Sequence, residues 1–206
     1  MIRASIKIIA LLGVVGACSM TEQTDPATDL EAVAAPAMRV TAIGVNVPLS
    51  LQVSEQNSYY PGADIVWRGE PIGDRHAQVK AIFEEAAKRG VAATEGPEPV
   101  VVDIQVSRFH ALTEKARYTV GGVHAITFSW QARDAATGDV IFGPKLVRAD
   151  LEAFGGDEAI AADARGETQK VRITAHLAEV MRQELVVPGG YQNERLGLIQ
   201  RLNRAR

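Results

Sequence analysis

The stretch VVVDIQVS, residues 100–107, decides the fold that the sequence predicts. Its β-branched residues favour a strand, and successive side chains of a strand point to opposite faces. One face is wholly apolar and consists of Val100, Val102, Ile104 and Val106. The other face is mixed and consists of Val101, Asp103, Gln105 and Ser107. Such a strand is typical of an antiparallel sheet that buries one face and leaves the other mixed.

A second, longer strand is predicted over Arg117–Arg133. Its even-numbered residues share one face: Tyr118, Val120, His124, Ile126, Phe128 and Trp130. Gly121-Gly122 inside this strand predicts a bulge or a close approach of another backbone. The following segment, Asp134–Asp139, predicts a hairpin turn into a further strand that starts at Val140.

The first strand is predicted over Arg39–Val47, and the first helix follows it. Asp74 can cap this helix, which runs to Arg89. Its apolar stripe has helical spacing and consists of Val79, Ile82, Phe83 and Ala86. Gly90 occupies the position where a left-handed residue commonly ends a helix.

A second helical stretch is predicted from Asp157 to about Val186, with an interruption near Gly166. Its apolar seam consists of Val171, Ala175, Ala178, Met181 and Leu185, widened by Leu177 and Val180. The elements therefore follow the order β–α–β–β–β–α. This order predicts an α+β fold, a mainly antiparallel sheet with two helices packed on one face, over residues 38–187.

The N-terminal residues 1–17 have the layout of a secretory signal peptide. Arg3 and Lys7 make a basic start, an apolar run covers residues 8–15, and small residues precede Cys18. The apolar run is far shorter than the roughly 20 residues that a membrane-spanning helix needs. The sequence therefore predicts export and removal of this segment.

The run Val15-Gly16-Ala17-Cys18 resembles the lipobox of bacterial lipoproteins. The resemblance implies cleavage before Cys18 and attachment of a diacylglycerol to its thiol, which anchors the chain to a membrane. The alternative is an ordinary secreted protein whose cysteine falls near the cleavage site. Cys18 is the only cysteine among 206 residues, and lipidation accounts for an unpaired cysteine in an exported chain. By the sorting pattern of that family, Ser19 favours the outer membrane over the inner one, with the chain facing the periplasm.

Two polar segments flank the predicted domain. Residues 18–37 combine the lipidated N-terminus with a flexible tether of small, polar and acidic residues. Residues 188–206 form a C-terminal tail, and its last part, residues 194–206, contains four arginines and one glutamate. The tail either contacts an anionic lipid surface or an acidic partner, or it is a frayed and solvated end.

The overall charge argues against a nucleic-acid partner. The chain has 22 basic and 25 acidic residues, a net charge of −3. The signal peptide holds two basic residues and no acidic residue, so its removal leaves −5. An acidic balance of this size gives no support for nucleic-acid binding.

No catalytic or cofactor motif is present in the sequence. The four histidines have no metal-ligand spacing to each other or to other ligands: His76, His110, His124 and His176. Asp103 and Glu114 could form a carboxylate pair, but nothing in their spacing places them together. We therefore expect no catalytic residue, no metal and no cofactor, and a protein that is not an enzyme.

Aromatic residues offer weak candidates for a binding surface. Core or sheet-face packing is the interpretation for Tyr59, Tyr60, Trp67, Phe128 and Trp130. Aromatic and basic neighbours are the remaining surface-site candidates, namely Trp67-Arg68 and Arg108-Phe109-His110.

The stretch Arg108–Gly122, RFHALTEKARYTVGG, resembles a signature of a family of uncharacterised alphaproteobacterial envelope lipoproteins. The layout of strands, hairpin and C-terminal helix is also similar to that of the auxiliary lipoproteins of envelope lipid transporters and of curli-secretion-type lipoproteins. The anchor, the tether and the lack of a catalytic motif suggest an adaptor or accessory subunit of an envelope transport or assembly complex, with a protein partner. The aromatic strand face suggests the alternative, a periplasmic carrier of an apolar ligand or lipid.

Overall fold

A computed structural model describes residues 38–92, 94–198 and 200 of the chain. The predicted signal peptide, Cys18 and the tether lie outside these described residues, as does the end of the tail, residues 201–206. Among the helices of the described ranges, none has the length and hydropathy that a membrane span requires.

The described residues form six strands and four helices. In chain order they are β1 (Met38–Asn46), β2 (Ile65–Val66), α1 (Arg75–Gly90), β3 (Glu98–His110), α2 (Glu114–Arg117), β4 (Gly122–Asp134), β5 (Val140–Arg148), β6 (Leu151–Ala153), α3 (Gly156–Ala164) and α4 (Gln169–Val186).

The main path of the sheet has the strand order β1-β3-β4-β5. β4 pairs antiparallel with both β3 and β5, whereas β1 pairs parallel with β3. β2 adds a short parallel pairing at the end of β3, and β6 pairs antiparallel with the start of β4. The sheet is mostly antiparallel, as predicted. β1 is parallel to β3 because α1 carries the chain back along the sheet between them, as parallel connections require.

β3 has the two faces that its sequence predicts. The apolar face is buried and consists of Val100, Val102, Ile104 and Val106. The register against β4 shifts between Val106 and Arg108, which marks a bulge. Beyond the bulge Phe109 and His110 are both buried, so the simple alternation ends there.

β4 starts later than predicted. The preceding residues form α2, because Thr113 Oγ1 accepts a hydrogen bond from Ala116 N (3.2 Å) and caps the helix. The prediction that Tyr118 and Val120 share a strand face with the later even-numbered residues is therefore wrong, since both lie between α2 and β4 and are exposed. The rest of the predicted face is buried: His124, Ile126, Phe128 and Trp130.

Gly121 confirms the predicted close approach of another backbone. Its φ is +69°, a left-handed conformation that favours glycine. A Cβ at this position would lie 2.8 Å from Ala153 O and 2.9 Å from Gly155 N. The chain therefore passes from α2 into β4 directly against the segment that follows β6.

α1 has the predicted cap and stripe. Asp74 accepts a hydrogen bond from Ala77 N (3.0 Å), and the stripe Val79, Ile82, Phe83 and Ala86 is buried. The prediction that Gly90 ends the helix as a left-handed residue is wrong, because Gly90 is helical and Val91 follows in a right-handed conformation. A Cβ on Gly90 would lie 2.7 Å from Ala178 O, so this glycine lets α1 and α4 approach closely.

The predicted interruption of the last helical stretch is confirmed. Gly166 has a φ of +82° and lies between α3 and α4. The predicted seam of α4 is partly wrong, because Val171 and Ala175 are exposed. The buried side is rotated toward Ile173, Thr174, Leu177, Val180, Met181, Glu184 and Leu185.

α1 and α4 cover the same face of the sheet. Phe83 of α1 packs edge-on against Phe128 of β4, with ring centroids 5.4 Å apart. Glu184 of α4 accepts a hydrogen bond from Trp130 Nε1 (3.0 Å). Since Phe128 and Trp130 share one face of β4, the predicted α+β fold with two helices on one face is confirmed.

The described part of the tail lies on the body. Asn193 Nδ2 and Gln200 Nε2 both donate to Asp150 Oδ2, over 3.0 and 2.8 Å. Tyr191 N donates to Glu184 Oε1 over 3.0 Å. Of residues 194–206, for which a frayed end was the alternative, Gln200 is bonded to the body, and residues 201–206 lie outside the described ranges.

Candidate functional site

An apolar pocket of about 210 Å³ lies at the end of the sheet where β3 ends and β4 begins. One wall is the loop that precedes β2, and the other is the segment from the end of β3 through α2 to β4. The side chains that shape the pocket are Tyr59, Tyr60, His110, Leu112, Val120 and Val123. Most of the second wall belongs to the stretch Arg108–Gly122, which the sequence singled out for its resemblance to a lipoprotein family.

Three hydrogen bonds hold the two walls together. Thr113 Oγ1 donates to Ser58 O over 2.8 Å, and Lys115 N donates to the Asn57 side-chain oxygen over 2.8 Å. His110 Nε2 lies 2.9 Å from the carbonyl oxygen of Pro61. A carbonyl only accepts, so this bond keeps a proton on Nε2. The pocket is therefore formed before any ligand arrives.

The rim of the pocket exposes apolar and aromatic surface. Val120 is 72% exposed, and Tyr59 and Tyr60 are about half exposed. Lys115 Nζ lies 4.7 Å from the centroid of the Tyr59 ring, a cation–π distance. Exposed apolar surface around a preformed concavity is typical of a binding site.

A second concavity lies on the sheet face that the helices leave open. It is a shallow groove of about 580 Å³ beside Gly44, Asp103 and Gln131. Its main charged group is already paired, because Arg133 donates to Asp103 over 2.5 and 3.1 Å. The hydrogen bond from Arg133 also holds the pKa of the Asp103 carboxyl below its usual range. The groove is therefore a weaker candidate than the apolar pocket.

His76, His110 and His124 have different surroundings. His76 Nε2 lies 3.1 Å from Leu51 O, and His110 lines the apolar pocket. His124 is fully buried, and burial together with the charges of Arg172 and Arg117 lowers its pKa to about 3. Within the described residues, no three His, Cys, Asp or Glu side chains form a group that could hold a metal ion.

The carboxylates of Asp103 and Glu114 have separate partners. Asp103 pairs with Arg133 on the open sheet face, whereas Glu114 pairs with Arg68. Arg68 also bonds the backbone oxygen of Glu55 over 2.7 Å. The first ion pair joins β3 to β4, and the second joins α2 to the segment after β2.

The aromatic residues divide into two groups. Trp67, Phe128 and Trp130 are buried, which confirms their interpretation as packing residues. Tyr59 and Tyr60 form the pocket rim, so that interpretation is wrong for them.

Of the predicted surface-site neighbours, Trp67 and Phe109 are fully buried in the core, and only His110 reaches the pocket. Sequence reasoning placed Val120 inside a strand and so missed its role at the rim. The Tyr59-Tyr60-Pro61 turn and the stretch Arg108–Gly122 were the available signals, because both contribute walls of this pocket.

Comparison with known structures gives distant likenesses. One is a crystal structure of a candidate lipoprotein from Caulobacter crescentus CB15, with 14% identity and a TM-score of 0.37 over 70% of this chain and 87% of that one. Another is a PelC dodecamer from Paraburkholderia phytofirmans, with 13% identity and a TM-score of 0.28 over 69% of this chain and 91% of that one. Among curated proteins, none matches significantly.

A family model, by contrast, matches nearly the whole described body and includes both walls of the pocket. The match covers residues 38–201, from the start of β1 into the tail. The chain belongs to this family, DUF6778, a family of unknown function.

Proposed function

We propose that this chain is a lipid-anchored protein of the bacterial cell envelope with a non-enzymatic role. Its body is an adaptor or accessory subunit that holds a protein partner through the apolar pocket. The anchor is Cys18, and the signal peptide and lipobox-like run of residues 1–18 support it. Ser19 supports an outer-membrane position, with the body in the periplasm.

The size and lining of the pocket carry this proposal. Its volume of about 210 Å³ is below the roughly 300 Å³ from which small-molecule sites usually start. A pocket of this kind suits one bulky apolar side chain of a partner, the type of anchor that dominates protein interfaces. Val120, Tyr59 and Tyr60 would surround such an anchor at the rim.

The rigidity of the pocket supports the same function. The bonds from Thr113 to Ser58 and from His110 to Pro61 fix the loop against the end of β3. A preformed site loses less conformational freedom on binding, and affinity rises accordingly. The ring nitrogen Nε2 of His110 is engaged in this clamp, which supports binding rather than proton transfer.

The aromatic strand face, which suggested the alternative of a carrier, is not an open surface. The aromatic strand face of Phe128 and Trp130 lies beneath α1 and α4. The space left beside these rings is about 10 Å³, room for no more than a single water-sized molecule. An apolar ligand would need the rim pocket, and the experiment below distinguishes this case.

The test compares two substitutions to glutamate at exposed positions of the full lipidated chain. Val120→Glu places a charge at the pocket rim, and Leu49→Glu places one at an 85% exposed position away from the pocket. Both variants and the wild type are purified from mildly crosslinked envelopes, and their partners are quantified by mass spectrometry. We expect a stoichiometric protein that is lost about tenfold in Val120→Glu and kept in Leu49→Glu. Equal recovery with both variants contradicts the proposal, and recovery of a lipid instead of a protein favours the carrier.

A further inference from the structure

Three side chains form a row across the face of the sheet that α1 and α4 leave open. Arg108 of β3 is paired with Thr127 of β4, and Thr127 is paired with Arg148 of β5. Directly paired residues of neighbouring strands lie on the same face. Thr127 lies between Ile126 and Phe128, which are buried on the helix side, so the row lies on the opposite, open face. We propose that this row binds a phosphate group.

The spacing of the two arginines suits a single tetrahedral anion. Neighbouring strands lie about 4.8 Å apart, so the Cα atoms of Arg108 and Arg148 are about 10 Å apart across Thr127. Both long side chains can therefore reach the space above the Thr127 hydroxyl. An anion in this space would accept hydrogen bonds from two guanidinium groups and one hydroxyl, and the fork of a guanidinium matches the oxygens of a phosphate.

The donors of both arginines are available to a ligand. Arg108 is half-buried and Arg148 is exposed, and among the described residues neither forms an ion pair or a hydrogen bond through its side chain. Arg133, on the same open face, is by contrast bound to Asp103. The Nε of Arg108 is buried and has no partner within the described ranges, although a buried donor normally has one.

Two acidic residues lie close to this row along the strands, and each has other partners. Asp64 immediately precedes β2, beside the end of β3, and its carboxylate accepts from Gln52 N over 2.9 Å. The Asp150 carboxylate accepts from two amide side chains of the tail. Of the ion pairs formed by described residues, none joins Asp64 or Asp150 to an arginine of the row. The arginine donors are therefore not taken up by these carboxylates.

The open-face groove of about 580 Å³ offers space for the remainder of a phosphate ester. Gln105 and Ser129 line it and belong to the same strands as two members of the row. Leu146 is exposed and pairs with Ser129, so it adds apolar surface on the same face, two positions from Arg148. The phosphate group is therefore either free phosphate or the headgroup of an ester such as a phospholipid, and the experiment distinguishes the two.

The test follows the arginine Nε–H resonances in NMR spectra of the full-length protein in detergent. Sodium phosphate replaces sodium chloride in steps at constant pH and ionic strength. We expect the resonances of Arg108 and Arg148 to shift together and to saturate with one Kd. Arg182, an exposed arginine paired with Glu179, is the internal control, and its resonance should not move. No saturable shift, or equal shifts of all three resonances, overturns the proposal.

Two variants at exposed positions test whether the arginines act together. Arg148→Gln removes one of the two guanidinium groups and should raise the Kd read from Arg108 about tenfold. Arg182→Gln removes an exposed positive charge from α4 and should leave that Kd unchanged. An unchanged Kd in Arg148→Gln, or equal weakening by both substitutions, overturns the proposal.

Titration with glycerol phosphate, the headgroup part of a phospholipid, identifies the source of the phosphate group. A lower Kd than that of inorganic phosphate assigns the site to a lipid headgroup, and an equal or higher Kd assigns it to free phosphate. In both cases Arg148→Gln must weaken binding, because the same donors hold either ligand. Because the pocket residues take no part in this site, these results do not depend on whether a partner protein binds there.

Discussion

His110 Nε2 donates to the carbonyl oxygen of Pro61 over 2.9 Å and joins the end of β3 to the loop that carries Tyr59 and Tyr60. The two residues are 49 positions apart in the chain. The bond is buried, so water does not replace it easily. One wall of the apolar pocket therefore depends on a contact that no local sequence pattern encodes.

Replacing His110 should loosen this wall. His110→Ala leaves the Pro61 carbonyl without its donor, a loss of about 1–3 kcal/mol. Amide hydrogen exchange should then speed up in the loop around Tyr59 and Tyr60. The control is His76→Ala, since His76 makes a similar bond to Leu51 O over 3.1 Å outside the pocket. Equal loop exchange in both variants would show that the clamp has no special role.

Glu184 should be the most sensitive carboxylate of α4. It is buried and accepts hydrogen bonds from Trp130 Nε1 (3.0 Å), Lys145 Nζ (2.7 Å) and Tyr191 N (3.0 Å). Glu184→Leu leaves these donors unpaired and should lower the free energy of unfolding by about 3 kcal/mol in urea titrations.

The same helix offers the matched control for that change. Glu179 is exposed and bonds Arg182 over 2.6 Å. Glu179→Leu should change the free energy of unfolding by no more than about 0.5 kcal/mol. A comparable loss in both variants would mean that the bonds of Glu184 add nothing beyond helix propensity.

Gly90 should resist replacement because of packing rather than backbone conformation. In Gly90→Ala the new Cβ would lie 2.7 Å from Ala178 O and 2.9 Å from Met181 Cβ, which forces α1 and α4 apart. We expect a loss of about 1–3 kcal/mol in urea unfolding. Gly62→Ala is the control, since a Cβ there meets nothing within 4 Å. Unchanged stability in Gly90→Ala would show that the two helices adjust freely.

Acid should weaken the fold through His124. Its pKa is about 3 in the folded chain, below the ordinary value of 6.5, so between these values the unfolded chain binds the proton and the folded chain does not. The free energy of unfolding therefore keeps its full value above pH 6.5 as far as His124 is concerned. It decreases as the pH falls from 6.5 toward 3, and at pH 5 the loss is about 2 kcal/mol.

Two measurements check this pH dependence. NMR titration should find the His124 ring neutral from pH 7 down to pH 5. His124→Phe should flatten the dependence of unfolding free energy on pH over the same range. If the His124 ring of the folded chain titrates near pH 6.5, burial does not disfavour its charged form and the prediction is wrong.

The sequence predicted those elements whose signals are local. β3 has an apolar residue at every second position from Val100 to Val106, and α1 combines the Asp74 cap with a complete apolar stripe. Both signals depend on neighbours within a few positions, and both elements formed, although Gly90 belongs to α1 and does not end it as predicted. The predicted start of β4 was wrong because Thr113 caps a four-residue helix, which interrupts the strand pattern.

The candidate site was harder to predict because its walls meet only in the folded chain. The stretch Arg108–Gly122 was singled out, but nothing local indicated that Tyr59 and Tyr60 would face it. The predicted apolar seam of α4 was partly wrong for a related reason. Neighbouring apolar stripes were both possible on that helix, and the one with Ile173 and Leu177, not the one with Val171, is buried in the core that α1 shares.

Site-specific photo-crosslinking at Val120 tests the adaptor function most directly. A photoreactive amino acid replaces Val120, at the pocket rim, or Leu49, at an equally open control position, in cells that express the lipidated chain. We predict one discrete protein adduct from Val120, its loss when Tyr60→Ala removes a pocket wall, and no such adduct from Leu49. The same adducts from both positions, or crosslinks from Val120 to lipid alone, would contradict the adaptor function.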